Sequence, residues 1–225
     1  MQTSAEYRAL CYQAYNTAIT HIKAASENVK SDDKTLAIIL DCDETVIDNI
    51  CVNAAFLDSD IANQSSLLRE WWNKGIAGAM PGAYEFLNAV DSLGIEIFYI
   101  TNRDEKYKAG VMRNLKDLRF PQTDDEHVLC RTEPGGKESR FDRIESQYNV
   151  ILYLGDTAHD FPTGSYNKSI TERNKITDDN RQFYGLKYIV LPKPIYGSWL
   201  NEFKGKTPEE FHMKKMNALN IWNGK

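Results

Sequence analysis

The chain has 225 residues, 42% hydrophobic and 26% charged, long enough to bury a sizeable core and too balanced for a disordered or fibrous protein. A formal net charge of −5 with four histidines offers no basic stripe for a nucleic-acid backbone and no polybasic membrane patch, which argues against polymeric nucleic acid as a partner. Four cysteines (Cys11, Cys42, Cys51, Cys130) lack CxxC spacing and read as packing thiols; no run approaches the roughly 20 apolar residues of a membrane span, and MQTSAEYRAL lacks the basic and apolar regions of a signal peptide.

In chain order, SAEYRALCYQAYNTAITHIKAASENV repeats aromatic and aliphatic residues at helical spacing, and Ser4 with Glu6 at its head suggests a capping box, predicting one long amphipathic helix over 4–29. TLAIIL (35–40) is a continuous apolar run of strand length ending in DCDET, a buried central strand. From 49 to 80 the polarity is mixed, with a helix predicted around SSLLREWWNKG, and the segment reads as an insertion closed by Pro81-Gly82. Then follow the helix AYEFLNAVDSLG, the strand IEIFYIT (95–101), the helix KYKAGVMRNLKDL, the short strand HVLC, the helix GKESRFDRIESQ and the strand NVILYLGD (149–156). A helix at 171–183, the strand LKYIVLPKP and the helix PEEFHMKKMNALNIW complete the chain.

Strands alternating with helices imply an α/β, Rossmann-like parallel sheet covered on both faces, with its chemistry at the carboxyl ends of the strands. The expected organisation is a single catalytic unit over 1–225: a core of about 33–48 and 81–195, and a smaller, mostly helical appendage from 1–32, 49–80 and 196–225.

Asp41 and Asp43 lie two residues apart just beyond the apolar strand, so extended geometry aims both side chains at one small volume. Two carboxylates that close require a cation or a shared proton, and a hard divalent ion is the natural answer. Thr101 and Asn102 end the next long strand with a hydroxyl and an amide suited to phosphate oxygens. Asp156 ends NVILYLGD with Asp160 four residues on, and Lys137 at a helix start brings a positive charge to the same rim. Each residue alone reads as a cap, a turn former or a solvated charge. Their common placement at strand ends points to one site.

ILDCDETVIDN, YITNR, Lys137 before a helix and YLGDTAHDF resemble the four signature motifs of the haloacid dehalogenase superfamily of phosphohydrolases. More narrowly, SAEYRALCYQAYNTA, DCDETVIDN, MPGAYEFL, FYITNR, LGDTAHDF and LPKPIYGSW resemble the class C nonspecific acid phosphatases, bacterial lipoprotein 5'-nucleotidases of subfamily IIIB. The resemblance implies the haloacid dehalogenase fold, Asp41 as nucleophile and Asp43 as general acid and then base. It further implies Mg²⁺ held by Asp41, the backbone carbonyl of Asp43 and Asp156, with Asp160 supporting the metal shell and Thr101 and Lys137 holding phosphate. A protonated Asp43 of raised pKa suits an acid-leaning pH optimum.

The substrate implied is a small phosphomonoester, and its leaving group falls to the insertion and the late loops, where Trp71, Trp72, Tyr196 and Trp199 supply flat rings. Tyr196 matches the family's base-stacking tyrosine. The stacking tryptophan usually paired with it falls near Leu68, so Trp71 or Trp72 substitutes for it or the base is held less tightly. Nucleoside 5'-monophosphates are thus the expected substrates, with sugar or aryl phosphates as the alternative. A catalytically silent envelope binding protein is a further rival; a receiver domain is disfavoured by its shorter chain and by its acid pair and phospho-acceptor lying on different strands. The resemblance also implies a bacterial envelope location, periplasmic or outer-membrane, by export or a lipid anchor upstream of this chain, and is compatible with a homodimer.

Overall fold

Leu36–Leu40 carries no polar side chain, and all five residues are buried in the first strand, β1. Its side chains alternate between two cores, as the period of a strand requires. Leu36, Ile38 and Leu40 join the cluster beneath the first and fourth helices, while Ala37 and Ile39 join Phe141, Ile144, Phe161 and Tyr188 on the other face. A strand walled in on both sides must be apolar throughout, which explains the continuous run in its sequence.

The computed structural model of the chain describes residues 2–27, 34–56, 61–193 and 198–219. Its main sheet has five parallel strands: β1, β4 (Glu96–Asp104), β5 (Val128–Arg131), β6 (Asn149–Gly155) and β7 (Tyr188–Val190), in the order β5-β4-β1-β6-β7. The order reverses direction at β1, so the crevice for chemistry opens beyond its carboxyl end, flanked by the ends of β4 and β6.

Helix α1 (Ala5–Ser26) buries Tyr7, Cys11, Ala14, Tyr15, Ala18 and Ile22 at helical spacing and packs against α4 (Ala83–Ser92) and β7. The expected capping box does not form. Ser4 Oγ caps Tyr7 N at 3.2 Å, but Glu6 is only two residues on and accepts the serine hydroxyl at 2.8 Å. The helix predicted at 171–183 is α7 (Ile170–Asp179), started by a true capping box between Ser169 and Glu172 and followed by a 3-10 turn at Arg181–Phe183. The last helix, α8, is Pro208–Asn217, with Thr207 capping Glu210 N.

The insertion comprises α2 (Ile50–Ala55) and α3 (Ile61–Lys74), closed at its root by a two-stranded antiparallel ribbon of β2 (Ile47–Asp48) and β3 (Gly78–Ala79), strands too short to leave a pattern in the sequence. Met80 N bonds Val46 O at 3.0 Å, fastening that root beside the DCDET loop. The far end of α3 lies on α5 (Lys108–Asp117) at Gly110, where a Cβ would meet the Trp72 carbonyl oxygen at 2.0 Å. Only glycine admits so close a backbone approach.

Candidate active site

The loop after β1 is built by its own backbone. Thr45, Val46 and Ile47 N–H all point to Cys42 O, Glu44 N bonds Ile47 O at 2.8 Å, and Glu44 sits at φ 58°, the left-handed region that costs a residue with a side chain about 1–2 kcal/mol. The tight turn leaves Asp41 and Asp43 on one rim with different neighbours. Asp41 is buried at the strand end, its N–H bonded to Leu154 O at 3.0 Å.

Lys137 reaches this point from the N-terminus of α6 (Glu138–Gln147), where it is the cap residue, and only 1% of its side chain is exposed. Its Nζ contacts Asp41 Oδ1 and lies 2.8 Å from Asp160 Oδ1. Burial pushes the Asp41 carboxyl up to about 6, with Lys137 pulling the other way and Asp160 and Asp43 adding to the rise. At Asp160 burial is outweighed by Lys137 and His159, which hold the carboxyl well below the usual range. The two carboxylates in turn outweigh burial at Lys137 and keep the ammonium charged.

Asp160 is also fixed from behind. Its Oδ2 accepts from Thr157 N at 2.9 Å, Thr157 Oγ1 at 2.8 Å and Asp156 N at 3.2 Å. A Cβ on Gly155 would lie 2.2 Å from the Asp160 Cβ, so the glycine of the Gly-Asp pair makes room for this fold-back. Asp156 follows it, and burial together with Asp160 drives its carboxyl well above the ordinary value, opposed by Lys193, whose Nζ lies 2.6 Å from Asp156 Oδ2.

Asp41, Asp156 and Asp160 each offer a carboxylate oxygen, all within 4.8 Å of one another. Buried, mutually repelling hard oxygens fit a hard divalent cation. Of the metal set expected from the sequence, Asp41 and Asp156 are in this cluster; Asp160, expected behind the shell, also presents an oxygen to it, while the Asp43 side chain faces elsewhere.

Asp43 is more open, with 22% of its side chain exposed, and is clamped by Arg103: Nε lies 3.2 and 3.1 Å from its two oxygens and Nη2 2.5 Å from Oδ1. Asn49 Nδ2 adds a bond at 2.7 Å and Thr101 Oγ1 a longer one at 3.4 Å. Burial raises the Asp43 carboxyl, but Arg103, Asn49 and Lys193 more than offset it and hold the group below the usual value. The raised pKa expected at Asp43 is therefore corrected; the elevated carboxyls are Asp41 and Asp156, because the cation facing Asp43 is an arginine clamped onto both its oxygens.

Thr101 is buried in β4 and accepts from Arg103 N at 3.1 Å. Asn102 Oδ1 accepts from Arg140 Nη2 at 2.8 Å, and the same guanidinium bonds Thr101 O at 2.7 Å and Gly136 O at 3.0 Å, bracing the end of β4 to the Lys137 turn.

Neither insertion tryptophan stands clear of the framework. Trp71 Nε1 donates to Asn49 Oδ1 at 2.7 Å, and Trp72 has the Arg103 guanidinium over its ring at 5.5 Å and Tyr107 at its edge. Both rings support the residues that hold Asp43. Tyr196 lies outside the described residues, and Trp199 is 37% exposed with Phe203 beside it.

Sequence reasoning missed Asn49, Arg103, Arg140 and Lys193. Asn49 and Arg103 stood inside the quoted runs DCDETVIDN and YITNR, Arg140 lies one helical turn after Lys137, and Lys193 is the charged residue of LPKP.

Comparison with known proteins agrees with the fold. The model of the HAD superfamily, subfamily IIIB (acid phosphatase), matches residues 1–199. The class C acid phosphatase of Bacillus anthracis matches with a TM-score of 0.91 at 33% identity, over 99% of this chain and 94% of that one. Its structure with tungstate bound gives 0.91 at 32% identity with the same coverage. The stem 31 kDa glycoprotein of Glycine max is 27% identical over 144 residues, 59% of this chain, and the match spans about half, 48%, of that relative's length. With the family model covering residues 1–199 and a solved relative 33% identical along nearly its entire length, the chain belongs to the HAD superfamily, subfamily IIIB, the acid phosphatases.

Proposed function

We propose that this chain is a Mg²⁺-dependent acid phosphatase that hydrolyses phosphomonoesters, nucleoside 5'-monophosphates among them, through an aspartyl-phosphate on Asp41. The observation that carries the reading is the contact of a buried carboxylate, Asp41, with a buried ammonium, Lys137, at the carboxyl end of the central strand. A family relative that holds tungstate, a tetrahedral oxyanion, adds support.

In this reading an Asp41 oxygen attacks phosphorus as the bond to the ester oxygen breaks, and Asp43 gives its proton to the departing alkoxide. Asp43 then takes a proton from water as that water attacks phosphorus. The bond to Asp41 breaks, freeing phosphate and restoring the carboxylate. Lys137 spends two of its three N–H donors on Asp41 and Asp160, leaving the third for a phosphate oxygen. Thr101 and Asn102, braced by Arg140, supply a hydroxyl and an amide at the same rim. Arg103 Nη1 is buried with no hydrogen-bond partner among the described residues, a further donor for an entering oxyanion. Arrival of a dianionic ester beside Asp43 raises its proton affinity against the pull of Arg103. Asp41, Asp156 and Asp160 would hold the divalent cation, which would supply charge neutralisation for the phosphoryl group.

Nucleobase binding rests on Tyr196 by resemblance. The engagement of Trp71 and Trp72 with Asn49 and Arg103 favours the second reading, phosphatase action on sugar or aryl phosphates. Phosphate release from nucleotides, sugar phosphates and an aryl phosphate, with and without Mg²⁺, tests both. Metal-dependent release lost in Asp41→Asn supports the chemistry, and a nucleotide preference lost in Tyr196→Ala supports the base site. No release from any substrate makes the chain a binding protein. A bacterial envelope location belongs to this proposal on resemblance alone, and fractionation of the producing cell tests it.

A further inference from the structure

Lys193 lies in the LPKP segment, where the chain leaves β7. Leu191 N bonds Gly155 O at 2.8 Å, which lays this segment alongside the end of β6 and places the lysine against Asp156. The ammonium meets Asp156 Oδ2 at 2.6 Å, with 8% of the lysine side chain and 2% of the aspartate side chain exposed. Lys193 also lies near enough to Asp43 to lower its proton affinity. The three carboxylates of the cluster are thus served by two lysines: Lys137 spans Asp41 and Asp160, and Lys193 serves Asp156.

The two lysines meet the cluster differently. Lys137 is held by two carboxylates from different elements, whereas Lys193 contacts the cluster at Asp156 Oδ2. An ammonium on a carboxylate and a divalent cation on the same carboxylate repel each other strongly where both are shielded from water.

We propose that Lys193 is a built-in counter-ion that competes with the divalent cation for Asp156 and so sets how tightly the site binds metal. The inference rests on the reading of Asp156 as a metal ligand. It makes Lys193 a positioning residue that acts through Asp156: a cation entering the cluster displaces the ammonium from Oδ2 or binds against its repulsion, and either route weakens binding.

Isothermal titration of the full chain with MgCl₂ tests this in wild type, Lys193→Gln, Lys193→Arg and Asp156→Asn. Removing the charge should tighten Mg²⁺ binding about tenfold or more, while arginine, which keeps the charge, should stay close to wild type. The gain should vanish when Lys193→Gln is combined with Asp156→Asn. If Lys193→Gln is too unstable to titrate, its melting temperature against MgCl₂ concentration gives the same comparison, with the variant stabilised at lower Mg²⁺ than wild type. Equal or weaker binding in Lys193→Gln, with Asp156→Asn still abolishing binding, would overturn the inference and leave the metal reading standing. Binding unaffected by Asp156→Asn, or absent from wild type, would overturn both.

Discussion

Replacing Lys137 with methionine keeps the length of the side chain and removes its charge, leaving Asp41 and Asp160 buried without their shared counter-ion. At 2.8 Å and an effective dielectric of ~20, the attraction between Lys137 and Asp160 alone is about 6 kcal/mol. Removing the lysine also relieves the cost of burying an ammonium, so the net loss falls in the range of about 3–5 kcal/mol found when one partner of a buried ion pair is deleted. The sign of the pH dependence follows from Asp160. Lys137 depresses its carboxyl, a contribution that stabilises the fold above the unfolded carboxylate pKa and is lost as pH falls through the depressed folded value. The variant lacks that contribution at every pH down to about 4, where the wild type still has it in full, but its stranded carboxylates take up protons as pH falls; that uptake makes the deficit largest at neutral pH and shrinks it toward pH 4. Urea unfolding of both proteins at pH 7, 5.5 and 4, in a chelator and again with Mg²⁺, measures it. A deficit below about 1 kcal/mol at pH 7, or one that does not change with pH, would refute the argument that Lys137 is held by its charge.

Three further outcomes follow from other parts of the molecule. Arg103→Met frees the Asp43 carboxyl from the clamp that lowers it, so Asp43 stays protonated to higher pH and the limb of the kcat profile governed by it moves to higher pH; a profile that merely drops in height would count against the assignment. Gly110→Ala places a Cβ 2.0 Å from the Trp72 carbonyl oxygen, and prising α3 from α5 should cost about 1–3 kcal/mol, read as a lower melting temperature; an unchanged one would show that the two helices part freely. His127, although partly desolvated, bonds Glu96 Oε2 and Asp124 Oδ1 at 2.8 Å each, and these partners raise its pKa. A raised histidine stabilises fully below its unfolded pKa and loses that contribution as pH climbs through the folded value, so above about 6.5 wild type should lose more stability than His127→Gln; equal slopes would dismiss the contribution of these partners.

The doubly covered parallel sheet and its central strand were legible because the apolar run at 35–40 and its counterparts at 95–101 and 149–156 are of strand length and alternate with helical segments, so their polar ends gather at one edge. That is why Asp41, Thr101, Asp156 and Lys137 could be named from the chain alone. Partners that arrive on long side chains could not. Arg103 and Arg140 went unread because nothing local tells an arginine that a carboxylate or a carbonyl on another element awaits it. The low proton affinity of Asp43 was missed for the same reason: spacing revealed two nearby carboxylates but not the guanidinium placed on one of them. The engagement of Trp71 with Asn49 and of Trp72 with Arg103 was not legible, because the chain alone does not show which ring finds a hydrogen-bond partner or a stacked cation on another element.

The chain Trp71 to Asn49 to Asp43, with Arg103 lying between the Trp72 ring and the same carboxylate, mechanically joins the inserted helix to Asp43. The insertion is therefore not an interchangeable module. Grafting α3 from a relative to change the leaving group accepted would also reset the acidity of Asp43, so recognition and pH response would evolve together in this lineage unless Asn49 and Arg103 were carried across with the graft.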